Sequence, residues 1–154
     1  MTSQLGEQVI ISVNLWAKVK PTEDIEKVKQ AFLNLCPPAT IKVIQNSHQG
    51  TVLEGHATGV ESISQLAKKF REQRILQAVR NQLLAAVQEN SIMFGMQRQA
   101  AFANRFHLCD LDDYSAMGPI HVKISADHIR DVIDYISPPT MKGKPQFQKG
   151  LKLE

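Results

Sequence analysis

Apolar and polar residues alternate without a break from Val9 to Val19. Val9, Ile11, Val13, Leu15, Ala17 and Val19 fall on one face, and Ile10, Ser12, Asn14, Trp16 and Lys18 on the other. Period two with one polar side predicts a strand buried on a single face. Pro21 closes it. Thr22 is placed as the N-cap of a helix with Glu23, Asp24 and Glu26 in its first turn, where carboxylates complement exposed backbone N–H groups. Ile25, Val28, Phe32 and Leu35 then recur at helical spacing, and Pro37-Pro38 stops the helix.

Thr40–Gln45 and Thr51–Thr58 read as short strands joined by the turn Asn46 to Gly50. The pattern is helical from Val60 to about Asn90. Ile63, Leu66 and Phe70 make one apolar stripe and Ile75, Val79, Leu83 and Val87 a second. The two stripes do not join at constant phase, so a break is expected near Arg71–Arg74. Ile92–Met96 is read as a short strand. Asn104–Cys109 and Ile120–Ser125 are read as a second hairpin across the loop Asp110–Pro119. Asp127 is placed as the cap of a last helix with Ile129, Val132, Ile133 and Ile136 on its apolar face, ended by Pro138-Pro139.

Strands in hairpins with helices before and between them predict an α+β fold with a mostly antiparallel sheet. Each helix has one apolar stripe, so the helices are expected to cover one sheet face and leave the other open. That open face is where function is sought.

Composition narrows the class. A chain of 154 residues, 43% hydrophobic and 21% charged, fits one globular domain rather than a disordered segment. No apolar run approaches the ~20 residues that cross a bilayer, and MTSQLGEQ lacks the features of a signal peptide. A cytoplasmic location without membrane association is expected. Cys36 and Cys109 form no disulfide or metal pattern. The formal charge of +3 divides unevenly: basic and acidic side chains balance at fourteen each up to residue 141. The surplus lies in the last residues, where Lys142, Lys144, Lys149 and Lys152 face only Glu154. Residues 1–141 are therefore read as the domain and 142–154 as a flexible basic tail.

The segment Ser91–Cys109 interleaves phenylalanines with arginines, which raises nucleic-acid stacking. Aligned on the RNA-reading sheet motif at Arg98, only Arg98, Ala101 and Phe102 fit, and two of the three aromatic positions are missing. Phe94, Phe102 and Phe106 are read as core. The residues expected on the open face are Trp16, Lys18, His56, Arg105, His107, His121 and Lys123. One tryptophan among cations can stack bases and contact phosphates, or the same face can be solvated or join two copies. His107, Cys109 and His121 do not supply the four N or S ligands of a zinc site. The aspartates from Asp110 lack the glycine and glutamate of a calcium loop. No phosphate-binding loop, dinucleotide fingerprint or nucleophile elbow is present, so no cofactor is expected.

Several segments together resemble one family: VKPTEDIEKVKQAFLNLCP, QRILQAVRNQLL, NSIMFGMQRQAAFANRFHLC and GPIHVKISADHIRDVIDYISPPTMKGKP. They are similar to the archaeal Uncharacterised Protein Family two hundred and one, a domain of unknown function. The likeness runs from Val9 to about Gln148. It implies an α+β fold with a mainly antiparallel five-stranded sheet and about five helices. That fold is similar to the large-subunit ribosomal protein that binds 5S ribosomal RNA and, more loosely, to RNA-recognition (RRM-like) sheets. The family supplies no catalytic or binding residues.

The expected function is a non-catalytic cytoplasmic domain acting through protein contacts, as a homodimer. The alternative is an RNA-binding module using the open sheet face and the basic tail. A third reading is an enzyme whose scattered side chains leave no local motif.

Overall fold

The computed structural model describes residues 10–46, 50–111, 118–141 and 144–145. The elements run β1 (Ile11–Val19), α1 (Ile25–Leu35), β2 (Thr40–Asn46), β3 (Gly50–Thr58), α2 (Glu61–Glu72), α3 (Leu76–Ala85) and β4 (Val87–Gln88). Then follow β5 (Ser91–Gln97), α4 (Arg98–Phe102), β6 (Leu108–Cys109), β7 (Pro119–Ala126), α5 (Ile129–Ile136), β8 (Thr140–Met141) and β9 (Lys144–Pro145). The fold is α+β. Its main sheet has seven strands rather than five, all antiparallel, in the order β2-β3-β1-β7-β5-β4, with β6 also paired to β5.

The alternation in β1 does what its pattern predicts. Ile11, Val13, Leu15, Ala17 and Val19 are all buried, and Ile10 is exposed. In register with them, Leu53, Gly55 and Ala57 of β3 and Val122, Ile124 and Ala126 of β7 continue one apolar face. The helices pack on that face, with Phe32, Phe70 and Phe106 fully buried between the layers. Each such side chain contributes about 1.5–3 kcal/mol by leaving water. Gly55 makes the close approach possible: a Cβ there would lie 3.2 Å from the Phe32 ring and 3.3 Å from Leu15.

Helix starts differ from expectation. Asp24, not Thr22, caps α1, its Oδ1 accepting from the Glu26 N–H at 3.0 Å. Glu23 is drawn away into an ion pair with Arg98. His128, not Asp127, occupies the N-cap of α5, with no side-chain cap bond. The expected break after α2 is present, with Arg74 at φ 59° between α2 and α3. Helix α3 ends at Ala85, short of Asn90, because Val87 and Gln88 turn back to pair with Ile92 and Ser91.

The largest correction concerns residues 98–109. Arg98–Phe102 is helical, and only Leu108–Cys109 is extended. That short strand pairs with β5, while β7 lies between β5 and β1, so the expected hairpin does not form. The reason is visible at Phe106. Its backbone N–H and C=O are both taken by the Gln73 side-chain amide, each at 2.8 Å, and its ring meets Phe70 edge-on. A residue held that way by the α2–α3 junction has no backbone groups left for a ladder. Phe94 and Phe106 are core as expected. Phe102 is 43% exposed, on the outside of α4 with the Lys27 ammonium 5.6 Å from its ring centre.

Of the expected tail, Lys144 and Pro145 pair with Met141 and Thr140 in the β8–β9 ribbon. The rest of 142–154 lies outside the described residues, as does the turn 47–49.

Candidate nucleic-acid interface

The sheet face opposite the helices is a grid set by strand register. One row runs Lys42 (β2), Glu54 (β3), Trp16 (β1), His121 (β7), Gly95 (β5) and Cys109 (β6). The next runs Thr40, His56, Asn14, Lys123 and Met93. A third holds Ile44, Val52 and Lys18. Every other residue of each strand faces this way, so rows are about 7 Å apart and neighbours within a row about 5 Å. The helices bury their apolar side chains against the other face of the sheet.

Trp16 sits near the centre. Its ring stacks on the His121 imidazole with centroids 4.8 Å apart and planes within 6° of parallel. Both residues are half-buried, so the pair is fixed yet still reaches solvent. Beside it, His56 Nδ1 lies 2.8 Å from Asn14 Oδ1. On the Trp16 side away from β7 lies a shallow depression of about 550 Å³, lined by Asn14, Leu15, Trp16, Thr40, Lys42, Glu54, Gly55 and His56. Leu15 turns its side chain to the core and Gly55 has none, so the floor there is backbone and the walls are the outward side chains of the rows, Trp16 among them.

The strand residues of this face carry three lysines, Lys18, Lys42 and Lys123, against the single carboxylate of Glu54. A domain balanced overall is thus locally positive here. Gly95 marks where the face is crossed by backbone: a Cβ there would lie 2.8 Å from the Cys109 carbonyl oxygen and 3.3 Å from that of Asp110.

Five of the seven expected residues, Trp16, Lys18, His56, His121 and Lys123, do share the face. Arg105 and His107 do not stand on a strand. Arg105 is exposed in the turn after α4, where its N–H donates to the Ala100 carbonyl, and His107 precedes β6 with its carbonyl accepting from Gln97. Arg98, the residue aligned with the RNA-reading motif, is withdrawn altogether. Its guanidinium is buried and donates to Glu23, to the Lys18 carbonyl and to the Pro119 carbonyl. Lys42, Glu54 and Asn14 were not singled out. Alternation with Ile41, Leu53 and Leu15 was the signal that could have found them. Cys109 and His121 are separated in their row by Gly95, and among the described residues no three His, Cys, Asp or Glu side chains converge as a metal would require.

Comparison with known proteins agrees with this geometry at the level of family and fold. A family model described as RNA binding matches residues 12–126. A UPF0201 protein of Aeropyrum pernix is 32% identical over 145 residues, spanning 94% of this chain and 96% of that one. A UPF0201 protein of Methanocaldococcus jannaschii is 37% identical over 126 residues, 82% of this chain and 70% of that one. The 2.2 Å crystal structure of the UPF0201 protein from Methanococcus jannaschii superposes with a TM-score of 0.77 at 36% identity, covering 87% of this chain and 98% of that one. The same α+β arrangement in a chain of this likeness settles its kinship: the protein belongs to the UPF0201 family.

Proposed function

We propose that the open sheet face binds single-stranded RNA without catalysing a reaction on it. The observation that carries this reading is the Trp16–His121 stack, an aromatic platform with Lys18 and Lys123 one row away on either side and Lys42 beyond Glu54 in its own row. Base stacking on aromatic rings and phosphate contact by lysines are the two interactions that single strands offer any protein. The interleaved order β2-β3-β1-β7, with α1 and α2 on one face, resembles the split βαββαβ topology and leaves a sheet face for such contacts. The family model's RNA-binding description supports the same reading.

Trp16 is the one tryptophan of the chain, so its fluorescence reports on the site directly. Titration with a short single-stranded oligoribonucleotide is expected to quench that emission. Replacing the ring, Trp16→Ala, should weaken binding by about 1–3 kcal/mol, roughly 5- to 150-fold in Kd. Binding that leaves the emission unchanged, and that Trp16→Ala does not weaken, would remove this face from consideration.

A second reading rests on the sheet edge. Among the described residues β2 is the outer strand of the sheet, and it shows Val43, 44% exposed, and Ile44, 37% exposed. Edges of that kind pair with other strands, and two copies joined antiparallel through β2 would extend the RNA face across a two-fold axis. Sedimentation of the chain and of Val43→Lys tests this. A dimer that the substitution converts to monomer supports it, and a monomer at all concentrations sinks it.

A further inference from the structure

The depression beside Trp16 has a rim more particular than RNA affinity alone requires. Lys42 and Glu54 are register partners in the same row as Trp16, both exposed. No side-chain hydrogen bond or ion pair among the described residues uses either of them. A carboxylate and an ammonium therefore stand side by side, uncommitted, next to an aromatic wall. In the adjacent row, His56 and Asn14 are tied to each other. Beside Trp16 the row therefore offers a carboxylate acceptor at Glu54 and a cationic donor at Lys42.

Among the four RNA bases, one edge matches that set. Guanine presents two adjacent donors, N1–H and the N2 amino group, followed by the O6 acceptor. A carboxylate accepts from the first two as a pair, and an ammonium beside it donates to O6. Adenine and cytosine each place a ring-nitrogen lone pair next to their amino group, which a carboxylate repels. Uracil flanks its one N–H with two carbonyl oxygens. We propose that this depression is a guanine site, with the base against the Trp16 ring, Glu54 reading N1–H and N2–H, and Lys42 reading O6.

This rests on the RNA reading above, and the experiment separates the two. A uridine-rich single strand carrying one central guanosine is compared with the same strand carrying adenosine, cytidine or uridine there, followed by Trp16 emission. Guanosine is expected to tighten binding about tenfold, the scale of one bidentate base contact. Glu54→Gln, an exposed substitution, should bring the four strands within about twofold of each other while quenching persists. Equal affinities in the unaltered protein, or a guanosine preference that Glu54→Gln leaves intact, would overturn the guanine site and leave RNA binding standing. If none of the strands binds, both readings fail together.

Discussion

Arg98 and Glu23, 75 residues apart in the chain, form an ion pair at 2.7 Å with side chains only 5% and 6% exposed. The guanidinium also ties together the carbonyls of Lys18 and Pro119, at the end of β1 and the start of β7. The pair thus holds the two strands that carry Trp16 and His121 at one end of the site.

Breaking it from one side is expected to cost much more than removing it. Glu23→Ala leaves a buried guanidinium without its counter-charge and should lower stability by about 3–5 kcal/mol. The double change Glu23→Leu with Arg98→Met should recover most of that loss, since the buried pair bears its own desolvation cost. Urea denaturation of the single and double variants measures both. A Glu23→Ala protein within about 1 kcal/mol of the parent would show the pair to be dispensable.

Affinity for a single strand should fall with salt according to how many phosphates the face neutralises. With Lys18 and Lys123 engaged on phosphates, the slope of log K against log salt is expected near −1.4, at about −0.7 per phosphate. Lys123→Ala should reduce the slope by about 0.7 and weaken all sequences alike. A slope unaffected by substituting Lys18 or Lys123 would place the phosphates elsewhere.

Gly95 and Gly55 make a matched comparison. Alanine at Gly95 meets backbone oxygen at 2.8 Å, whereas at Gly55 it meets side-chain carbons at 3.2 and 3.3 Å. Backbone that is paired in a ladder yields less than a ring does, so Gly95→Ala should be the more damaging, at about 1–3 kcal/mol. It should also shift Trp16 emission, because His121 is the neighbour of Gly95. Equal melting temperatures for the two variants would mean that the Cys109–Asp110 crossing is not fixed.

Burial pushes the Cys36 thiol up to about 11. The folded chain therefore keeps a proton that the unfolded chain gives up from about pH 8.5 upward. The sign follows: stability gained from this group is whole below the ordinary thiol range and declines as pH rises towards 11. At pH 8 alkylation of the native protein is expected to spare Cys36 and to reach it only in denaturant. Rapid labelling of Cys36 in the native state would contradict its burial.

Elements governed by one long period were readable from the chain alone. Ile11 to Val19 alternates for its full length, and Ile129, Val132, Ile133 and Ile136 fit only a helix face; both are buried as the pattern requires. The phase slip at Arg71–Arg74 also marked a real break. Residues 98–109 failed because α4 has five residues, too few for a helical period to declare itself. The spacing of Phe102 and Phe106, four apart, satisfies both periods at once. Glu23 looked like a first-turn carboxylate because its partner lies 75 residues away. The site was half visible for the same reason: alternation told which residues of β1 and β7 face outward, but the row joining Lys42 and Glu54 to Trp16 exists only through pairing. Summed charge misled as well, since a total of zero says nothing about how sign is shared between faces.

The place of β7 has a consequence for the order of assembly. β1, β2 and β3 pair among themselves, β4 and β6 pair with β5, and only β7 bridges the two groups. Synthesis from the N-terminus therefore produces two separate sheet fragments, which wait for residues 119–126 before they can close into one. Contacts of such long sequence separation form late and slowly. Until then Trp16 has no His121 to lie against, so a nascent chain shorter than this strand carries the lysines of the face without its aromatic platform. The open face is completed by the last strand to join the sheet.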